Sequence, residues 1–148
     1  MKGYRNILCA TDFSTNCRVA AERAADLARF YDARLTLLHV IEHFPVDRSN
    51  DAIAPEDVDP AHYHAEKAHA GLRELADWLR HDNIHQEVHF SMQSAGYEIE
   101  QFVKEQNVDL VVIASHGRHG VHSILGSTAY KVAHNANCDV LTVNPATS

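Results

Sequence analysis

Five short apolar runs, each separated from the next by a stretch of helical periodicity, constrain this chain more than any other feature. The runs are Arg5-Asn-Ile-Leu-Cys-Ala10, Arg34-Leu-Thr-Leu-Leu-His-Val-Ile41, Gln86-Glu-Val-His-Phe-Ser-Met-Gln93, Asp109-Leu-Val-Val-Ile-Ala114 and Cys138-Asp-Val-Leu-Thr-Val143. A run such as 109–114, apolar without alternation, reads as a strand buried on both faces and belongs at the centre of a sheet. The run 86–93 alternates polar and apolar and reads as an outer strand. Between the runs, apolar residues recur near every 3.6 positions. After a capping Ser14 they are Val19, Ala20, Ala24, Leu27, Ala28 and Tyr31, with Asp32-Ala33 turning the chain out of that helix. Over 61–81 they are Ala65, Ala68, Leu72, Leu75 and Leu79, and after Ser94-Ala95-Gly96 they are Ile99, Phe102 and Val103. A fourth helix is expected over 127–136. The order βαβαβαβαβ predicts an α/β fold: a single-domain, doubly wound, five-stranded parallel sheet with right-handed crossovers and helices on both faces.

The chain has 148 residues, 45% hydrophobic and 22% charged, which suits one domain spanning 1–148 without disulfide or metal staples. Residues 43–60 are polar, hold three of the four prolines, and read as a surface loop. No apolar run approaches the roughly 20 residues of a membrane span. The first residues lead straight into a strand without a signal-peptide pattern, so the expected location is cytoplasmic. Three cysteines, Cys9, Cys17 and Cys138, without CxxC spacing read as small core residues in a reducing compartment. A net charge of −7 argues against a duplex nucleic-acid partner, but leaves open a local anion site built from backbone N–H groups. Among the twelve histidines, His116, His119 and His122 form one cluster and His62, His64 and His69 another. Neither has a recognised zinc motif, so no metal ligands are assigned; the first cluster could instead respond to pH.

In doubly wound sheets ligands sit beyond the carboxyl ends of the strands, where the strand order reverses. That rule selects Ala10 to Asp12, His39 to Ile41 and the loop after Ala114. The loop carries Gly117, Gly120 and Gly126 and ends in Gly126-Ser127-Thr128 at an expected helix start. Glycines, hydroxyl donors and free helix N–H groups together make a phosphate cradle. The alternative gives the glycines to the turn and Ser127 or Thr128 to the helix cap. Neither GxxxxGK[ST] nor GxGxxG is present. No Ser-His-Asp elbow and no paired carboxylates occur, and the HxGH and SGGxDS signatures of substrate-activating adenine-binding folds are absent, so no catalytic residue is assigned.

Taken together, Ile7-Leu-Cys-Ala-Thr-Asp-Phe-Ser14, Leu35-Thr-Leu-Leu-His-Val40, Asp109-Leu-Val-Val-Ile-Ala-Ser-His-Gly117, Gly126-Ser-Thr128 and Cys138-Asp-Val-Leu-Thr-Val143 resemble the universal stress protein family over nearly the whole chain. The resemblance implies a sheet of order 3-2-1-4-5 and a homodimer joined through the last strand. It also implies a stress-response protein that binds ATP, AMP or another adenine nucleotide, magnesium accompanying ATP, in a regulatory rather than catalytic role. Many members bind ATP through Gly, two residues, Gly, nine residues, then Gly and Ser or Thr. Here Ala114 stands at the first glycine, Gly117 at the second and Gly126-Ser127 at the last, with eight residues between Gly117 and Gly126. That shorter spacing resembles the branch regarded as not binding ATP, which implies the alternative of a nucleotide-free dimeric interaction module. If nucleotide binds, the resemblance places Asp12 near adenine or ribose, Ala10 and Val40 against the base, and Ser115 and His116 on the ribose side. Gly117, Gly126, Ser127 and Thr128 would then meet phosphate, with Arg118 adding charge. Slow ATP hydrolysis is a family trait for which no residue here is an evident general base. The apolar residues Val140, Leu141 and Val143 suggest a sheet edge that a second copy would cover, or alternatively residues 144–148.

Overall fold

The computed structural model describes residues 3–42, 59–116 and 126–145. Five strands, β1 (Asn6–Ala10), β2 (Arg34–Glu42), β3 (Ile84–Ser91), β4 (Leu110–Ala114) and β5 (Asp139–Val143), alternate with four helices. The helices are α1 (Thr15–Tyr31), α2 (Pro60–Leu79), α3 (Ala95–Gln106) and α4 (Ser127–Asn135). All strand pairings are parallel and the order is β3-β2-β1-β4-β5, as expected. The alternating strand β3 lies at one edge, and all five residues of the apolar strand β4 are buried.

Because side chains of a strand alternate between faces, the buried residues divide into two cores. Ile7, Cys9, Leu35, Leu37, Leu110 and Val112 pack with α1 and α2; Leu8, Ala10, Leu38, Val111 and Ile113 pack with α3 and α4. The sequence pattern places Val19, Leu27 and Tyr31 on the inner face of α1, but these are only partly buried. The innermost stripe is Cys17, Ala20, Ala21, Ala24, Ala25 and Ala28, whose short side chains let the helix axis approach the sheet closely.

Helix boundaries follow local chemistry. Ser14 caps α1 through a hydrogen bond from Cys17 N–H (3.2 Å), and Ser94 caps α3 through one from Tyr97 N–H (3.1 Å). Helix α2 starts earlier than the sequence pattern suggested. Pro60 falls within the helix rather than in the polar loop, since proline lacks the N–H that the first helical position leaves unbonded, and Asp59 caps it from Ala61 N–H (3.2 Å). Residues 43–58 lie outside the described residues. At the C-termini of α1, α2 and α3, Asp32, Arg80 and Asn107 take the left-handed conformation that turns the chain out of a helix.

At the amino edge of the sheet, Tyr4 Oη donates to Asp139 at the start of β5 (2.7 Å). That bond, with burial adding to it, pushes the Tyr4 hydroxyl up to about 12. The Asp109 carboxylate accepts the N–H groups of Arg5 (2.9 Å) and Asn6 (3.1 Å), fastening the start of β1 beside β4.

Candidate functional site

Strands β1 and β4 are neighbours, but their chains leave in opposite directions: β1 leads to α1 on one face and β4 to α4 on the other. In doubly wound sheets such a divergence marks where a crevice forms at the carboxyl edge. Ala10 ends β1 and Ala114 ends β4, both buried. Val40 stands near the end of β2, half-buried against the α3–α4 core. Asp12, Ser115 and His116 follow the strand ends, and Gly126, Ser127 and Thr128 open α4. The fold thus brings nine of the ten expected site residues to one edge; Gly117 falls in 117–125, outside the described residues, as do Arg118, His119 and His122.

The β1 exit is tightly specified. Thr11 N–H donates to the Leu38 carbonyl (2.9 Å), and the Thr11 carbonyl is paired with His39 Nδ1 (2.8 Å). Phe13 N–H donates to Thr11 Oγ1 (3.0 Å), and Ser14 N–H donates to Asp12 Oδ1 (2.9 Å). Asp12 thus serves the turn at the carboxyl edge of the sheet. Between these bonds Phe13 takes φ 66°, a left-handed conformation unusual for a bulky side chain and costing roughly 1–3 kcal/mol. Its ring lies against His39 with centroids 4.5 Å apart. Thr11 and His39 fall within the strand ends selected from the sequence but had no role assigned, and Phe13 was not selected; an aromatic residue between two turn-forming polar ones does not reveal a positive φ.

The β4 exit is built differently. Ser115 N–H donates to the Val143 carbonyl (2.9 Å), continuing the sheet one residue past β4. Gly126 N–H then donates to the Ser115 carbonyl (2.6 Å), pinning the start of α4 to the strand end. The N–H of Gly126 is thereby engaged. Gly126 is itself the N-cap and offers no side-chain cap, so the expected alternative, a cap by Ser127 or Thr128, is not what the helix uses. The first intrahelical bond runs from Tyr130 N–H to the Gly126 carbonyl (2.8 Å), which leaves the amides of Ser127, Thr128 and Ala129 ahead of it without an intrahelical acceptor. Beside this helix end Ser115 Oγ pairs with His116 Nδ1 (3.0 Å), while His116 Nε2 is buried with no hydrogen-bond partner among the described residues. Leaving such an atom unpaired costs roughly 1–3 kcal/mol, which a ligand group could offset.

Other chemistry at the site is muted. Burial pushes the Cys17 thiol up to about 11, with the Asp12 carboxylate adding to it, and burial raises Cys9 further. Cys138, half-buried at the start of β5, is pushed up to about 11, again chiefly by burial. These thiols are packing residues rather than nucleophiles. Among the described residues no group of three His, Cys, Asp or Glu side chains is arranged to hold a metal ion, and His62 pairs with Glu66 one turn along α2 (3.2 Å). Nor is any helix of the described residues long and apolar enough to cross a membrane.

Comparison with known proteins agrees with this architecture. A model of the universal stress protein family matches residues 3–144. Universal stress protein A homolog 2 of Coxiella burnetii is 36% identical over 144 residues, 97% of either chain, and homolog 1 of the same organism is 33% identical over 140 residues, 95% of this chain and 96% of the relative. Among solved structures, the universal stress protein UspA from Lactobacillus plantarum superposes with a TM-score of 0.74 at 26% identity, covering 95% of this chain and 98% of that one. A universal stress protein in complex with cAMP has a TM-score of 0.72 at 22% identity, covering 96% and 98%. The universal stress protein from Archaeoglobus fulgidus in complex with dAMP has a TM-score of 0.66 at 17% identity, covering 96% and 98%. At these last two identities the likeness is one of fold.

Proposed function

The chain belongs to the universal stress protein family, and on that premise we propose that it binds an adenine nucleotide at the carboxyl edge of the sheet, as a cytoplasmic regulator rather than a catalyst. The observation that carries this reading is the start of α4. Among the described residues its first-turn amides have no side-chain cap, the Gly126–Ser115 backbone bond holds them beside the end of β4, and the buried Nε2 of His116, without a partner among those residues, lies at the same strand end. Such a helix end favours a phosphate through both its N–H groups and its partial positive charge. Solved relatives of the same fold carry cAMP and dAMP, which supports adenine as the base.

In this reading Ser127 and Thr128 meet phosphate, Gly126 shapes the helix start, and Ser115 and His116 flank the ribose. Asp12 approaches ribose or adenine, with Ala10 and Val40 against the base. Gly117 adds to the cradle. The ligand is AMP or ATP; magnesium, when ATP is the ligand, is held by the phosphates. No residue in these roles is placed to activate water, so any hydrolysis is slow.

The test is mass spectrometry of small molecules released from the purified protein, followed by calorimetric titration with AMP and ATP, with and without magnesium. An adenine nucleotide near one per chain is the expected result. Gly126→Asp is the decisive variant. Its backbone, at φ −59° and ψ 153°, suits an aspartate N-cap, so the chain should fold while the carboxylate occupies the amides and repels phosphate. A folded Gly126→Asp protein with unchanged affinity would refute the cradle.

One observation favours a second reading, in which the chain works as a nucleotide-free homodimeric module. Strand β5 lies at the edge, paired only with β4 among the described residues, with Val140 and Leu141 half-buried. Such an edge is suited to a second copy. Sedimentation of the nucleotide-free protein as a monomer would remove this reading.

A further inference from the structure

Four non-glycine residues take positive φ among the described residues, and three of them, Asp32, Arg80 and Asn107, are helix C-caps. The fourth, Phe13, ends no helix. It sits between Asp12 and the Ser14 cap of α1, in a conformation that a bulky residue keeps only when its surroundings hold it there. Three elements supply that hold. From β1, Thr11 Oγ1 accepts the Phe13 N–H (3.0 Å). From β2, the His39 ring lies against the Phe13 ring, its Nδ1 in turn paired with the Thr11 carbonyl (2.8 Å). From α2, Gly71 presents bare backbone: a Cβ there would lie 2.9, 3.0 and 3.2 Å from three atoms of the Phe13 ring.

We infer that Phe13 is a positioning residue of the nucleotide site: its ring, wedged between His39 and Gly71, holds the turn in the left-handed form that sets the Asp12 carboxylate at the crevice. This rests on the reading of the site as a nucleotide site. The same wedge joins that site to α2, so displacement of the turn is felt by the helix through Gly71. Asp12 Oδ1 accepts the Ser14 N–H (2.9 Å), and the wedge preserves the backbone geometry in which that bond forms.

Phe13→Ala, Phe13→Tyr and Gly71→Ala, each made in the full chain, are compared by calorimetric titration with AMP and by the amide resonance of Ser14, which reports the Asp12 bond without any ligand. Phe13→Ala is expected to weaken AMP at least tenfold and to shift the Ser14 resonance, and Phe13→Tyr to restore both. Should Phe13→Ala not fold, Gly71→Ala crowds the ring with Phe13 in place and is expected to move both readouts in the same direction. A folded Phe13→Ala protein with unaltered AMP affinity, or with an unmoved Ser14 resonance, overturns the inference and leaves the nucleotide reading standing. A parent chain without affinity for any adenine nucleotide removes that reading instead; the Ser14 resonance then decides the wedge alone, unmoved against it and shifted in its favour.

Discussion

Helices α1 and α4 both start at the carboxyl edge of the sheet, from adjacent strands, yet their amino ends are finished in opposite ways. At α1, Ser14 caps the helix, Asp12 holds the Ser14 amide, and Phe13 is locked between two other elements. At α4 a glycine occupies the cap and brings no acceptor. Helices α2 and α3 side with α1: Asp59 caps one and Ser94 the other, with Glu42 Oε2 also accepting the Ala95 N–H (3.1 Å). Three helix starts thus have a side-chain cap, and α4 has none among the described residues. Free energy that an acceptor would add to stability at α4 is available there for an external anion.

The largest expected effect comes from making α4 resemble α1. Gly126→Asp should reduce AMP binding more than a hundredfold while leaving the melting temperature unchanged or slightly raised, because aspartate caps a helix at least as well as glycine. Calorimetry and thermal denaturation on the same sample separate the two effects.

Next is the reverse operation. Ser14→Ala should cost about 1 kcal/mol of stability, since it deprives the Cys17 amide of its acceptor. Ser127→Ala, on the exposed first turn of α4, should leave urea denaturation almost unchanged and weaken AMP instead. Equal stability losses in the two variants would erase the distinction drawn between the two helix ends.

A smaller effect separates helix propensity from the wedge. In the interior of α2, alanine is favoured over glycine by up to about 1 kcal/mol. Gly71→Ala should fail to deliver that gain in the parent chain, where the new methyl meets the Phe13 ring, and should deliver it in a Phe13→Ala background. A double-mutant cycle read by urea denaturation measures the difference.

The smallest effects are in pH dependence, away from the crevice. His81 is held below its ordinary value, first by burial and then by the Arg29 guanidinium, and its Nδ1 accepts the Asn83 N–H (3.1 Å). The folded chain binds this proton less readily than the unfolded one. The contribution is therefore present above about 6.5 and declines as pH falls through the folded-state value. Tyr4 is raised, so its contribution is complete below about 10 and is lost as pH climbs through about 12. His81→Asn and Tyr4→Phe should flatten the acid and alkaline slopes of stability respectively, as followed by thermal melts across pH.

Much of the architecture was legible in the chain because it depends on local periodicity. The apolar run 109–114 belonged inside a sheet and the alternating run 86–93 at an edge, although the edge strand β3 is set two residues earlier, at Ile84–Ser91. Ser14 and Ser94 announced helix starts through chemistry that acts within three residues. The point where the chain diverges was legible too, since a doubly wound order dictates it, and Asp12 and Ser115 follow the two strands on either side of it. The distribution of donors there was not. That the Gly126 amide is engaged by Ser115 depends on where α4 returns to β4, a contact between residues eleven apart and outside the reach of local patterning. The apolar face of α1 was legible in part: Ala20, Ala24 and Ala28 are buried as the period implies, whereas Val19, Leu27 and Tyr31 are only partly so, because close packing on the sheet favours the alanines.

By itself the sequence determined the alternation of elements and the doubly wound sheet, because each follows from hydrophobic period and chain connectivity. Tertiary structure alone decided the conformation of Phe13 and the engagement of the Gly126 amide at the start of α4. The first requires His39 and Gly71, from two elements distant in sequence, to meet at one ring. The second anchors α4 by a backbone bond to Ser115 instead of by a side-chain cap, a geometry that no pattern of side chains along the chain encodes.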